Sequence, residues 1–139
     1  MKKVYFACSI RGGRDDQPIY AAVVGIIKTN AEVLSEMFTN KDLTARGYEG
    51  ATDHWIWKAD LELLKKADAV ITEVTNPSLG VGYEIAEAKN LKKPVLALYR
   101  PQPDRRLSAM VAGDPNVQVI EYQDVSELKQ PIADFLQKL

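Results

Sequence analysis

The chain has 139 residues, of which 46% are hydrophobic and 27% are charged, as is usual for one globular domain with a buried core. Eighteen basic residues against nineteen acidic ones leave a net charge of −1, which excludes the basic surface that extended nucleic-acid binding needs. A single cysteine and a single histidine exclude an internal disulfide and a Cys/His zinc cluster. We therefore expect one domain, residues 1–139, without a metal or another cofactor.

The start of the chain matches a strand rather than a targeting segment. The run Lys3-Val4-Tyr5-Phe6-Ala7-Cys8 begins a strand pattern at once, without a secretory signal core and without an apolar stretch long enough to span a bilayer. The sequence therefore predicts a cytoplasmic protein, or a nuclear one in a eukaryote, whose partners are neither membranes nor nucleic acids.

Short apolar runs typical of buried strands alternate along the chain with amphipathic segments typical of helices. The strand-like runs are 4–8, 33–36, 69–74, 95–99 and 117–120, and the helical segments are 18–28, 52–66, 80–91, 107–111 and 125–139. This alternation predicts an α/β fold, Rossmann-like or flavodoxin-like, with a five-stranded parallel sheet and helices on both faces. Ligands of such sheets bind beyond the carboxyl ends of the strands. The irregular stretch 39–51 is a candidate mobile flap.

The most informative segment, Asn76-Pro77-Ser78-Leu79-Gly80-Val81-Gly82-Tyr83-Glu84, stands where the third predicted strand passes into a helix. Small residues at Ser78, Gly80 and Gly82 would let an anion approach the free amides and the positive dipole end of that helix. The dipole is also expected to keep Glu84 ionised, as a nucleophile requires. A glycine-rich connection with a solvated glutamate is the alternative interpretation.

The loop after the first predicted strand, Ser9-Ile10-Arg11-Gly12-Gly13-Arg14, pairs two glycines with two arginines. Glycines let the backbone approach an oxyanion, and an arginine can hold a phosphate through two parallel hydrogen bonds. The spacing matches neither a Walker P-loop nor a dinucleotide fingerprint. The loop is a candidate phosphate site, with a polar turn bearing solvated arginines as the alternative.

The second predicted helix carries a carboxylate on its apolar face. Residues 56, 60, 63, 64 and 67 form one stripe, in which only Asp60 is polar. Burial would favour the protonated form, so Asp60 is the expected acid/base partner of Glu84. A helix-edge Asp satisfied by hydrogen bonds or by a basic neighbour explains the pattern equally well. Trp55 and Trp57 are expected to pack in the core or in an interface.

The loop after the fourth predicted strand, residues 99–110, holds three arginines and Ser108. These side chains could reach a phosphate on their own subunit or on a neighbouring one. An ordinary charged loop is the simpler interpretation of this segment taken alone.

Several of these segments together closely resemble the 2′-deoxynucleoside 5′-monophosphate N-glycosidases of the nucleoside 2-deoxyribosyltransferase superfamily. The resemblance runs from about Lys3 to Tyr122. Its motifs are Tyr5-Phe6-Ala7-Cys8-Ser9-Ile10-Arg11-Gly12-Gly13-Arg14, Asp60 before a leucine-rich turn, Glu73-Val74-Thr75-Asn76-Pro77-Ser78-Leu79-Gly80-Val81-Gly82-Tyr83-Glu84, Arg100-Pro101-Gln102 and Leu107-Ser108-Ala109-Met110. Several motifs in the correct order are far more specific than any one of them.

The resemblance implies a role for each candidate residue. Glu84 would attack the anomeric carbon of a deoxyribose, Asp60 would manage the proton, and Tyr5 would lie beside the nucleophile. The 5′-phosphate would be surrounded by Ser9, Ile10, Arg11, Gly12, Gly13, Ser78, Gly80, Gly82 and the Ser108 of a neighbouring subunit. A homodimer, a deoxynucleoside monophosphate as substrate and a deoxyribosyl-enzyme ester that water cleaves are implied in the same way.

One difference from the family concerns the nucleobase. Mammalian members have a histidine after the second strand, where this chain has Ser35-Glu36-Met37. Met37 is therefore the expected base-side residue, and the base preference stays open. The same nucleophile suits a transferase in which a second base opens the ester, and the fold suits a non-enzymatic nucleotide sensor. The phosphate-binding loops favour a hydrolase of nucleotides over a transferase of free nucleosides.

Overall fold

A computed structural model describes residues 1–10, 15–36 and 50–139. The predictions for Arg11, Gly12, Gly13 and Met37 lie outside these residues, as does nearly all of the candidate flap at 39–51. In the three described ranges, no helix has both the length and the apolar character that crossing a membrane would require.

Strands and helices alternate along the described chain. The strands are β1 (Lys3–Ala7), β2 (Glu32–Val33), β3 (Ala69–Glu73), β4 (Val95–Tyr99) and β5 (Val117–Glu121). The helices are α1 (Gln17–Ile27), α2 (Asp53–Lys66), α3 (Leu79–Asn90), α4 (Ala109–Ala112) and α5 (Lys129–Gln137). A 3-10 turn at Val125–Leu128 directly precedes α5.

The strands form one parallel sheet in the order β2-β1-β3-β4-β5. Strands β3 and β4 are buried at every position, as expected where helices cover both faces of a sheet. The chain leaves β1 toward β2 and then crosses back to β3, so the switch in strand order lies between β1 and β3. The predicted α/β fold with a five-stranded parallel sheet is confirmed.

The two faces of β1 point to different helical layers. Phe6 packs edge-on against Tyr20 of α1, with ring centroids 6.4 Å apart, and α1 contacts α5. Tyr5 points to the opposite face because successive side chains of a strand alternate, and on that face α2 contacts α3. The sheet thus separates α1 and α5 from α2 and α3, with helices on both faces as predicted.

The second strand is shorter than predicted and lies earlier in the chain. Only Glu32 and Val33 pair with β1, whereas the sequence predicts a strand over 33–36. The Ser35 hydroxyl replaces further main-chain pairing, since it accepts a 2.7 Å hydrogen bond from the Phe6 amide and donates a 2.8 Å bond to the Phe6 carbonyl. Beyond Val33, hydrogen bonds from the Ser35 side chain therefore take the place of main-chain pairing between β2 and β1.

The last helix is also shorter than the predicted span of 125–139. The chain first forms the 3-10 turn, which Asp124 caps by accepting a 2.8 Å hydrogen bond from the Ser126 amide, and α5 then ends at Gln137. Pro131 has no N–H to donate to the carbonyl four residues before it. One continuous α-helix over both segments would therefore lack a hydrogen bond near its middle.

Candidate active site

Helix α3 begins directly after the loop that follows β3. Ser78 is its N-cap residue, and the Ser78 hydroxyl accepts a 3.3 Å hydrogen bond from the Val81 amide. The amides of Leu79 and Gly80, at the first two helical positions, have no partner within the helix. The start of α3 therefore presents N–H groups and the positive end of the helix dipole at the position predicted from Ser78 and Gly80.

Gly82 and Glu84 lie farther along α3 than predicted. The Gly82 amide donates a 3.1 Å hydrogen bond to the Ser78 carbonyl, so the prediction of a free Gly82 amide at the helix start is wrong. A Cβ atom on Gly82 would meet no described atom within 4 Å, so the glycine leaves open space beside this turn. Glu84 is the sixth helical residue, beyond the first turn in which the dipole acts strongly.

Glu84 of α3 reaches the interior strand β1. The Tyr5 hydroxyl donates a 2.9 Å hydrogen bond to Glu84 Oε1. Burial and, to a smaller extent, the nearby Asp60 raise the pKa of Glu84 to about 8, even though the Tyr5 hydrogen bond lowers it. Burial, Glu84 and Asp60 also raise the pKa of Tyr5 well above its usual value. The phenol therefore remains protonated and able to donate.

The charge predicted for Glu84 differs from the one that its surroundings in the structure favour. The sequence predicts an ionised carboxylate held by the helix dipole, whereas a pKa of about 8 leaves Glu84 mostly protonated at pH 7. Desolvation outweighs a dipole that acts mainly within the first turn. Ionisation of Glu84 thus depends on the Tyr5 hydrogen bond and on the charge of whatever occupies the site.

Asp60 lies partly buried on α2, on the face that the sequence predicts. Burial raises its pKa to about 6, as expected for a carboxyl group on an apolar stripe. The charge of Asp60 acts on both Glu84 and Tyr5, so the three groups are close enough to influence one another. The structure therefore brings the three predicted catalytic residues together, and their catalytic roles stay predictions.

Ser9 and Ile10 follow β1 at the carboxyl edge of the sheet. Ser9 is fully buried, and its hydroxyl has no hydrogen-bond partner in the part of the chain that the structure describes. Ile10 is partly buried and packs against the core. Contact of either residue with a phosphate stays a prediction.

Ser108 lies on a surface groove rather than beside Glu84. It caps α4, where its hydroxyl accepts a 3.3 Å hydrogen bond from the Met110 amide. Ser108 and Ser78 line the same cavity of about 700 Å³ between α3 and α4, which we call the α3–α4 groove. Leu79 and Met110 also line this groove and are 97% and 83% exposed. Exposed apolar residues of this kind are typical of contact surfaces.

A buried polar network that the sequence analysis did not identify joins the loops after β1, β3 and β4. Thr75 donates hydrogen bonds to Glu73 Oε1 from its amide, at 2.9 Å, and from its hydroxyl. The Arg100 amide donates a 2.9 Å bond to Thr75 Oγ1, and Arg100 Nη2 donates a 3.0 Å bond to Asp16 Oδ1. The signal in the sequence is Glu73, a carboxylate in an apolar strand, because buried charges need partners.

The exposed sides of α2 and α3 are joined by aromatic residues. Trp57 Nε1 donates a 3.3 Å hydrogen bond to the hydroxyl of Tyr83, the residue before Glu84. Trp55 and Trp57 are about half exposed, so they lie outside the core, and their place in an interface stays a prediction. In the described ranges, no group of three or more His, Cys, Asp or Glu residues could hold a metal ion.

Known proteins resemble this chain in sequence and in fold. Residues 4–119 match the family model described as nucleoside 2-deoxyribosyltransferase. The chain belongs to this family. It is 46% identical over 125 residues to the 5-hydroxymethyl-dUMP N-hydrolase of Mus musculus, covering 89% of this chain and 72% of that protein. It is 44% identical over 137 residues to the Tetraodon nigroviridis protein of the same name, covering 96% of each.

A solved structure shares the fold of this nucleoside 2-deoxyribosyltransferase domain. The CMP N-glycosidase of Clostridium botulinum superposes with a TM-score of 0.65 at 19% sequence identity, covering 95% of this chain and 99% of that one. The match supports the architecture alone, since a fold hosts many activities. The family match and the two relatives confirm the resemblance stated from the sequence.

Proposed function

We propose that this member of the nucleoside 2-deoxyribosyltransferase family hydrolyses the N-glycosidic bond of 2′-deoxynucleoside 5′-monophosphates. The products are a free base and 2-deoxyribose 5-phosphate. The observation that carries the proposal is the convergence of Tyr5, Asp60 and Glu84 on one face of the sheet. The mouse and Tetraodon relatives, 46% and 44% identical, are named for hydrolysis of such a monophosphate.

In the first step, Glu84 acts as the nucleophile. One carboxylate oxygen forms a bond to C1′ of the deoxyribose, and the bond from C1′ to the base nitrogen breaks with its electron pair on the base. The Asp60 carboxyl group gives its proton to the departing base, for which a pKa raised to about 6 is suited. The products of this step are the free base, an ionised Asp60 and a glutamyl ester of the sugar.

In the second step, water opens the ester. Asp60, now a carboxylate, takes a proton from the water while the water oxygen bonds to C1′. The bond between C1′ and the Glu84 oxygen breaks with its electron pair on the carboxylate. Both carboxyl groups then return to their starting states. Tyr5 donates to Glu84 throughout and stabilises the carboxylate as nucleophile and as leaving group.

The 5′-phosphate is proposed to bind at the start of α3. Its oxygens would accept hydrogen bonds from the Leu79 and Gly80 amides, and from the Ser78 hydroxyl, which accepts from Val81 and can still donate its own proton. Ser9, Ile10, Arg11, Gly12 and Gly13 complete the proposed phosphate site. This set accounts for a preference for nucleotides over free nucleosides.

The α3–α4 groove is proposed to be covered by a second copy of the chain. Its walls are largely apolar, and Leu79 and Met110 would each bury most of their side chains in such a contact. Ser108 of one protomer would then lie at the edge of the neighbouring phosphate site. The proposed enzyme is therefore a homodimer.

The reaction is tested by incubating the protein with deoxynucleoside monophosphates, beginning with 5-hydroxymethyl-dUMP, with and without a free acceptor base. We expect free base and 2-deoxyribose 5-phosphate in both cases. An exchanged nucleotide would indicate a transferase, and the absence of any turnover would indicate a nucleotide sensor. Ribonucleotides and unphosphorylated deoxynucleosides complete the substrate panel.

The nucleophile is tested with Glu84→Ala, with Glu87→Ala on the next turn of α3 as the matched control. Glu84→Ala is expected to abolish base release while it retains most of its affinity for 2-deoxyribose 5-phosphate. Glu87→Ala should keep its turnover. Base release by Glu84→Ala at the rate of the unmodified enzyme would contradict the assignment.

The dimer is tested by mixing two inactive variants. If Ser108 serves the neighbouring site, a Glu84→Ala protomer paired with a Ser108→Ala protomer restores one complete site, and activity rises above that of either variant alone. If Ser108 serves its own chain, mixing restores nothing. Analytical ultracentrifugation of the unmodified protein gives the oligomeric state independently.

A further inference from the structure

We propose that Arg100 is a positioning residue for the phosphate site, because it ties the β3–α3 turn that presents Ser78 to the start of α1. The inference rests on the phosphate-binding role proposed above for Ser78. Arg100 uses two separate groups for this purpose. Its main-chain amide binds Thr75 on the β3–α3 turn, and its guanidinium binds Asp16 immediately before α1.

The first link fixes the direction in which the chain leaves β3. Thr75 is buried and uses its amide and its hydroxyl to bind Glu73 Oε1, while its hydroxyl oxygen accepts from the Arg100 amide. The hydroxyl therefore donates and accepts at once, which sets the rotamer of Thr75. Ser78 follows only three residues later, so a change in direction at Thr75 moves the N-cap and the amides beside it.

The second link holds the loop after β4 in place. Arg100 Nη2 and Asp16 Oδ1 form an ion pair of 3.0 Å, and both side chains are mostly buried. Hydrogen bonds between charged groups are stronger than neutral ones and depend on geometry. The pair holds the start of the β4–α4 loop against the residue before α1, and the Arg100 amide consequently stays within reach of Thr75 at the start of the β3–α3 turn.

Neither link touches the reacting groups. Glu84 lies in the second turn of α3 and is held by Tyr5 of β1, whereas Ser78 is the N-cap residue immediately before the same helix. Loss of the network should therefore weaken phosphate binding more than it slows the chemical step. If the network served only to stabilise the fold, its loss would lower the free energy of unfolding, and KM would not rise more than kcat falls.

The two links can be broken separately. Thr75→Val removes the hydroxyl and keeps the shape of the side chain, and Thr75→Ser restores the hydroxyl as the conservative variant. Arg100→Gln and Asp16→Asn break the ion pair from either side and leave the Arg100 amide in place. Asp134→Asn is the control, since it removes the charge of an exposed carboxylate that accepts a 2.7 Å hydrogen bond from Gln130 within α5.

The readouts are kcat and KM for a deoxynucleoside monophosphate and the calorimetric Kd of 2-deoxyribose 5-phosphate. We expect Thr75→Val and Arg100→Gln to raise KM and Kd by about tenfold, with kcat changed by less than about threefold, as for lost hydrogen bonds that act on binding. Thr75→Ser and Asp134→Asn should stay close to the unmodified enzyme. Arg100→Gln combined with Asp16→Asn should be no worse than the poorer single variant.

Unchanged KM and Kd in folded Thr75→Val and Arg100→Gln would overturn the inference, as would a loss confined to kcat. If Arg100→Gln fails to fold, the comparison of Thr75→Val with Thr75→Ser decides, because both retain the ion pair. If the unmodified protein releases no base but binds 2-deoxyribose 5-phosphate, the proposed reaction fails, and Kd alone still tests the positioning role.

Discussion

The Tyr5 hydroxyl donates a 2.9 Å hydrogen bond to Glu84 Oε1, joining strand β1 to helix α3 across 79 residues of sequence. The phenol is buried and its pKa is raised well above the usual value by burial and by Glu84 and Asp60, so it acts as a donor at every physiological pH. This bond favours the ionised form of a carboxyl group whose surroundings otherwise favour the protonated one.

Tyr5→Phe is expected to slow base release while it preserves the fold. The variant removes one hydrogen bond to a charged group, worth about 1.5–3 kcal/mol, which corresponds to roughly a tenfold to hundredfold loss of kcat. The pKa of Glu84 should rise, so the fall of kcat/KM at high pH, which follows the higher of the two pKa values, should move to higher pH. Tyr20→Phe, buried on the other face of the sheet, is the control, and a pH profile that does not move would contradict this role.

The activity of the unmodified enzyme should have a bell-shaped dependence on pH. Base release requires an ionised Glu84 and a protonated Asp60. Because their pKa values are raised to about 8 and about 6, a single shared proton lies mainly on Glu84, and the reactive arrangement is the minor one-proton form. The pair holds one proton between these values, so kcat/KM should peak near pH 7 and fall on either side. Asp60→Asn should lower kcat by about 10²- to 10⁴-fold, whereas Glu62→Gln on the same helix should not.

Stability should decrease as the pH rises from about 4 to about 8. The folded state holds protons on Glu84 and Asp60 more tightly than the unfolded chain does, because both pKa values are raised on folding. The contribution of these two groups to the free energy of unfolding is therefore largest below their unfolded-state pKa values. It is lost as the pH rises through their folded-state pKa values. In urea titrations, Glu84→Gln should reduce this loss by at least about 1 kcal/mol, and Glu87→Gln should leave it unchanged.

Gly82→Ala should separate stability from activity. A Cβ atom at this helical position meets no described atom within 4 Å, and alanine is favoured over glycine within a helix by about 0.8–1 kcal/mol. The variant should therefore unfold at higher temperature. If the substrate lies against this turn, the same methyl group should raise KM. A variant that is more stable and equally active would place the substrate elsewhere.

Ser78→Asp tests the phosphate site without removing the helix cap. Asp is as good an N-cap residue as Ser, so the melting temperature should change little, whereas Ser78→Ala should cost about 1 kcal/mol of stability. The added negative charge should repel the phosphate and raise KM for the monophosphate by at least about tenfold. KM for the unphosphorylated deoxynucleoside should stay unchanged, and an equal rise for both substrates would argue against phosphate binding at Ser78.

The buried strands could be predicted almost to the residue because their signal is local. Strand β4 spans the predicted 95–99, and β3 ends one residue before the prediction. Strand β2 could not be predicted in this way. Its length depends on the hydrogen bonds between the Ser35 hydroxyl and the Phe6 main chain. Nothing in the sequence around Ser35 indicates this contact with a distant residue.

The sequence predicts a site residue where a polar side chain stands among apolar positions of the same helix face. Asp60 stands out on an apolar stripe, and its raised pKa follows from that position. The ionisation of Glu84 was mispredicted because desolvation depends on tertiary neighbours. The link from Arg100 to Asp16 spans 84 residues, so only the folded chain reveals it.

The position of β1 in the sheet has a consequence for how the protein assembles. Strands β3, β4 and β5 are joined by short crossovers, whereas β1 pairs with β3 only after the chain between residues 7 and 69 has closed. Closing such a long loop costs conformational entropy and slows folding. Because Tyr5 is carried by β1, the acidic pair acquires its phenol donor only with this late closure, and catalytic competence should appear together with the completed sheet.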